Sequence, residues 1–92
     1  IGIVMTNACF DKSRLCKIAR MAQNGLARSI RPVHTSADGD SVYAMSVGTV
    51  QADMDMVGTL AADVMSEAIL SAVKNAETAY GYISANDFLT EY

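Results

Sequence analysis

The run VYAMSV, residues 42–47, sets apolar side chains at Val42, Tyr43, Ala44, Met45 and Val47, so a strand built from it is apolar on both faces. Side chains alternate sides along a strand, and a half-solvated strand alternates apolar with polar residues. A strand without that alternation is one covered above and below. The chain opens with a second run of this kind, IGIVM at residues 1–5. Between the two lies an amphipathic segment that predicts a helix starting at Asp11 or Ser13, either of which caps free N–H groups, and running to about Ile30. Within it Leu15, Ile18, Ala19, Ala22, Leu26 and Ile30 recur at spacings of three and four and share one buried stripe. Pro32 stops the helix from going further. Beyond residue 47 a second helix is expected from Asp53 or Asp55 to about Ala79, with Val57, Leu60, Ala61, Val64, Ala68 and Ala72 on one face. Met54, Met65, Ile69 and Val73 widen that face, so this helix reads as buried on more than one side. After Gly81 the tail YISANDFLTEY is polar and aromatic and predicts a short helix capped at Ser84 or Asn86.

Strand, helix, loop, strand, helix and tail make an α/β fragment. The whole chain, residues 1–92, is one domain at most, and 51% of its residues are hydrophobic against 18% charged. Two strands and two or three helices do not supply both covers of a sheet and close its edges as well. Further strands are therefore expected from another chain. No internal repeat, low-complexity run, linker or signal peptide is expected among these residues, nor an apolar run long enough to span a bilayer.

Charge is unevenly distributed. Six of the seven basic residues, Lys12, Arg14, Lys17, Arg20, Arg28 and Arg31, lie in or just after the first helix, and nine of the ten acids come later. Such a helix reads as a solvated basic face, and the net charge of −3 gives no long-range attraction for phosphates. Neither nucleic acid nor membrane is expected as a partner. Cys9 and Cys16 have neither CxxC spacing nor histidine companions, so they read as reduced thiols of a cytoplasmic protein, with no metal site. The six methionines fit as core fillers that need no cofactor. His34 is the only histidine. A triad of Ser36, His34 and Asp38 can be drawn, but the three are too close in sequence to suggest one.

The remaining feature is the loop GLARSIRPVHTSADGDS, residues 25–41, which ends in Asp38 and Asp40 on either side of Gly39. By itself Asp-Gly is a turn signal, since glycine accepts positive φ and an aspartate side chain bonds nearby N–H groups. The loop also sits between rigid elements, where functional side chains are often aimed. In order, IGIVMTNA (residues 1–8), GLARSIRPVHT (25–35) and DGDSVYAMSVG (38–48) resemble the self-processing amidohydrolases that include the L-aminopeptidase/D-esterases, the β-peptidyl aminopeptidases and the 6-aminohexanoate-oligomer hydrolases. The likeness covers roughly the first two thirds of the chain and extends loosely into GTLAADVMSEAILSAVKNAE, residues 58–77.

That resemblance implies a fold and a chemistry. Members are made as one chain that cleaves itself, and the new N-terminal Thr or Ser of the smaller fragment becomes the nucleophile. This chain is similar to that smaller fragment, with the nucleophile expected one or two residues upstream of Ile1. The implied fold is an αββα layered sandwich completed by the larger N-terminal fragment, and the implied assembly is a homo-oligomer of such heterodimers. The implied reaction is hydrolysis of amide bonds in small peptides or amide oligomers through an acyl-enzyme, with the nucleophile's own amine or a nearby lysine taking its proton and no metal or cofactor. Asp38 and Asp40 match the family's paired aspartates, which face the nucleophile together with a lysine and an asparagine of the larger fragment. Two other readings stay open: acyl transfer of the ornithine acetyltransferase type, which SADGDS fits less well, and a non-catalytic binding or assembly module.

Overall fold

The structure is a computed structural model and describes residues 1–89; the end of the expected tail, residues 90–92, lies outside the described residues. Five elements follow in order: β1 (Gly2–Ala8), α1 (Lys12–Ser29), β2 (Val42–Val50), α2 (Met54–Asn75) and α3 (Ala85–Leu89). β1 and β2 pair in parallel, with Gly2 opposite Val42 and Thr6 opposite Ser46. Parallel neighbours cannot be joined by a tight turn, and α1 is the crossover that joins them. After Thr6 the register jumps so that Ala8 faces Val50, and at this irregularity Gly48 lies against the Asn7 carbonyl where a Cβ would not fit.

The helix starts follow the cap chemistry. Asp11 accepts the Arg14 N–H at 2.9 Å at the start of α1, and Asp53 accepts the Met56 N–H at 3.0 Å at the start of α2. α1 closes at Ile30, whose N–H still reaches the Leu26 carbonyl at 2.9 Å before the chain turns extended.

Both helices cover one face of the sheet. Ile18, Ala22 and Leu26 of α1 meet Ala61 and Met65 of α2, and Val4, Val42 and Ala44 of the strands pack against that cluster. The two helices approach closely at Gly25, where an added Cβ would stand 2.5 Å from the Ala62 carbonyl oxygen. Around this seam the Ser29 and Ser66 hydroxyls bond each other, and Arg28 pairs with Asp63 at 2.7 Å. Both members of that pair are half exposed, so it adds little to stability.

The strands are apolar on both faces as read, and this chain, as expected from its few elements, covers only one: Ile3 is 61% exposed and Met5 67%, with Tyr43, Met45 and Val47 beside them on the same bare face. Three expectations change. The buried stripe of α2 is Gly58, Ala61, Ala62 and Met65, while Leu60 and Val64, expected inside, are exposed. Close approach at the Gly25 seam selects small residues of α2 for the contact and turns its larger side chains away. α2 also ends at Asn75, not near Ala79. There the Asn75 amide donates to the Ser71 carbonyl at 2.8 Å, and the chain enters a turn through Tyr80 and Gly81, both at positive φ, closed by Ala79 and Tyr82. Ser84 then stands directly before α3, and Asn86 lies inside it. Lastly, α2 is long and apolar enough to cross a membrane by length and composition, with a mean hydropathy of 1.4. Asp63 and Glu67 interrupt that run, which an average over a window tolerates, and only 22% of the window is buried within this chain.

Candidate active site

The loop between α1 and β2 is organised by Asp38. Its carboxylate accepts the Thr35 N–H at 2.7 Å, while its own N–H donates to the Thr35 carbonyl at 3.1 Å, so one residue closes a turn from both sides. The turn therefore spans residues 35–38 and ends at Asp38 instead of centring on Asp38 and Gly39. Gly39 stands in open space without positive φ, and the left-handed residue of the loop is His34, at φ 57°. No hydrogen bond joins His34, Ser36 and Asp38 as a triad among the described residues, and His34 and Ser36 are exposed.

Asp40 is placed differently. At the end of the loop Ser41 accepts the Gly2 N–H at 2.8 Å, which is the first rung of the parallel ladder. In a parallel pair both strands start at the same end of the sheet, so the beginning of β1 is brought to the loop that precedes β2. Asp40 and Ser41 share with Ile1 a cleft of about 160 Å³ whose apolar wall includes Leu26, Ile30 and Met65. Of the two aspartates singled out in the sequence, the fold thus sets Asp40 beside Ile1 and engages Asp38 with its own turn. Both side chains are exposed.

The other candidate groups are dispersed. Cys9 and Cys16 are exposed thiols, and Lys12, Lys17 and Arg20 lie along the open face of α1. Among the described residues no three His, Cys, Asp or Glu side chains converge as a metal site would require. One positional residue escaped the sequence reading. The Ser46 hydroxyl donates to the Ala8 carbonyl and receives the Phe10 N–H at 3.4 Å, fastening the end of β1 to β2. Its only signal was a polar residue inside an apolar run.

The chain matches Peptidase family S58 over residues 1–86. It belongs to that family. An uncharacterized aminopeptidase of Mycobacterium leprae is 38% identical over 96 residues, covering 88% of this chain and 26% of that protein. One of Mycobacterium tuberculosis is 33% identical, covering 95% of this chain and 30% of its own length. A 6-aminohexanoate-oligomer endohydrolase of a Kocuria species is 26% identical over 80% of this chain and 24% of that protein. No solved structure matches. The resemblance drawn from residues 1–48 is thus borne out at the level of the family, and the chain spans about a quarter to a third of the curated relatives it matches. Within family S58, then, the Asp40 and Ile1 neighbourhood is the part of this chain where polar loop, strand start and cleft coincide.

Proposed function

We propose that this chain is the nucleophile-bearing part of an amide hydrolase that cuts itself from a longer precursor. The carrying observation is that Asp40 lies in one cleft with Ile1, at the end of the sheet where the residue preceding Ile1 would stand. The names of the relatives, aminopeptidase and oligomer endohydrolase, supply the reaction class.

In this reading a Thr or Ser immediately upstream of Ile1 attacks the amide carbon through its hydroxyl, and the proton passes to its free α-amine. The tetrahedral intermediate collapses with transfer of that proton to the leaving amine, giving an acyl-enzyme ester that water then hydrolyses. Asp40 orients this amine and, through a charge-assisted hydrogen bond, stabilises the ammonium that forms when the amine takes the proton. Asp38 acts one step removed, by fixing the loop through Thr35. The remaining polar groups, including donors for the oxyanion, come from the larger fragment.

The bare face of the sheet supports completion by a second layer. Burying Ile3, Met5, Tyr43, Met45 and Val47 would contribute on the order of 10 kcal/mol, at about 1.5–3 kcal/mol for each large side chain. That is comparable with the whole stability of a small domain, so a second sheet packed on this face would make the αββα sandwich that the family resemblance implies. Residues 1–92 expressed alone are accordingly expected to aggregate or to melt without a cooperative transition. A monomeric, soluble, cooperative unfolding curve would defeat this expectation.

Intact-mass measurement and N-terminal sequencing of the full-length protein, with hydrolysis of an aminoacyl p-nitroanilide and a 6-aminohexanoate oligomer, test the function. Two fragments are expected, the smaller starting with Thr or Ser just before Ile1, together with turnover of at least one substrate. An uncut chain, or a cut chain inert towards both, would overturn the reading.

A further inference from the structure

Beyond α2 the chain builds a small aromatic platform. Ala79 and Tyr82 exchange backbone hydrogen bonds at 3.1 and 2.9 Å around Tyr80 and Gly81, both at positive φ. Two consecutive left-handed residues make the tight hairpin turn in which Asn-Gly is the favoured pair. Tyr80, at φ 52°, stands where Asn or Gly would be held with less strain. A turn that only reverses the chain has no need of that strain, which concentrates where a side chain is put to use. The base of the turn is fastened: the Ser84 N–H donates to the Thr78 hydroxyl at 2.9 Å, that hydroxyl bonds the Asp87 carboxylate, and the Asn86 amide donates to the Lys74 carbonyl of α2 at 3.2 Å. Its rings are bare. Tyr80 is 98% exposed and Tyr82 80%, and Ile83 and Phe88 are exposed as well.

The platform stands at the same end of the molecule as the cleft of Asp40 and Ile1. α2 runs back along the strands, so that its Met65 lies against Gly2 and its Ile69 lines that cleft. Val73, one turn beyond Ile69 on the same face of α2, is exposed and carries the apolar wall out past the end of the sheet. The Lys74 carbonyl that anchors Asn86 is five residues beyond Ile69, or about 7–8 Å along the helix axis. An extended chain advances about 3.3 Å per residue, so this distance is about two to three residues of substrate.

We propose that the platform is the outer rim of the substrate cleft, where Tyr80 and Tyr82 take the part of an oligomeric amide that lies about two to three residues beyond the one held at Asp40. The occupant is a substrate chain because the apolar track begins at the cleft and leads to the rings without interruption by charge, through Ile69 and Val73. Flat uncharged rings suit methylene runs and peptide groups alike, so the rim selects for length rather than for one side chain. This rests on the hydrolase reading and adds to it a preference for oligomers over short amides.

The test uses the full-length protein. Tyr80→Asn removes the ring and suits the turn better, so a merely structural tyrosine predicts no loss. The ratio of kcat/KM for tetra-alanine or a 6-aminohexanoate tetramer to that for an aminoacyl p-nitroanilide, which is too short to reach the rim, should fall by about tenfold, mainly through KM. Binding is read separately with Tyr80→Trp, whose added emission should change with one of the two tetramers and not with alanine or 6-aminohexanoate monomer. An unaltered ratio in Tyr80→Asn, emission of Tyr80→Trp indifferent to both tetramers, or a lower light-scattering mass of Tyr80→Asn, which would make the platform a contact between copies, would each overturn the proposal. If Tyr80→Asn does not fold, the emission of Tyr80→Trp still decides. A protein that binds a tetramer at this position but cuts no amide would refute the hydrolase reading and leave the rim standing, whereas a hydrolase whose length preference ignores Tyr80 would refute the rim alone.

Discussion

Asp40→Asn in the full-length protein is expected to lower amide hydrolysis by on the order of a hundredfold or more, the scale typical of losing a positioned catalytic group. The change keeps size and shape and removes the charge, and Asp40 is exposed, so unfolding stability should move by less than about 0.5 kcal/mol. The kinetic split tells which ammonium the carboxylate serves. A fall in kcat with KM unchanged means that it orients the nucleophile's amine; a rise in KM means that it holds an amine of the substrate. Asp38→Asn should cost about tenfold, because an amide oxygen can still accept the Thr35 N–H and the turn survives. Near-normal turnover of Asp40→Asn would leave the pair as a solvated turn and nothing more.

The contrast between these two aspartates marks how far the sequence could be read. That a loop ending in Asp38 and Asp40 meets the start of the chain follows from two strands, each apolar on both faces, joined by a helix, because such strands pair in parallel. The helix starts were legible to within two residues, as Asp11 or Ser13 and Asp53 or Asp55, for a local reason: a cap bonds N–H groups three residues away, and in the fold Asp11 and Asp53 do so. The turn itself was misplaced, since Asp38 bonds back to Thr35 instead of forward around Gly39, and both choices satisfy the same local chemistry. The face of α2 was hidden for a different reason. Leu60 and Val64 outweigh Ala61 and Ala62 in any hydrophobic periodicity, yet the contact with α1 is decided by closeness, which favours the smaller pair. Ser46 was illegible because its value lies in the carbonyl and N–H it finds across the sheet.

Gly25→Val is expected to destabilise the full-length protein by more than about 3 kcal/mol, and Gly25→Ala by about 1–3 kcal/mol, the range for overpacking a tight interior. Local propensity argues the reverse, since alanine is better than glycine in a helix by about 1 kcal/mol, so the sign of the result is itself diagnostic. A Cβ at this position would stand 2.5 Å from the Ala62 carbonyl oxygen and 2.8 Å from the Met65 Cβ. Neither is the movable tip of a side chain. The helices must therefore separate, and separation loosens Ile18, Ala22 and Leu26 from Ala61 and Met65, which together are the core of the chain. Denaturant unfolding of Gly25→Ala, compared with Gly39→Ala in the open loop, gives the measurement, and Gly39→Ala should be near neutral because a Cβ there meets nothing within 4 Å. A stabilising Gly25→Ala would mean that the seam is looser than described. Activity should fall with stability, because Leu26 and Met65 belong both to this seam and to the wall of the cleft that Asp40 shares with Ile1, so parting the helices deforms the place where the chemistry is proposed.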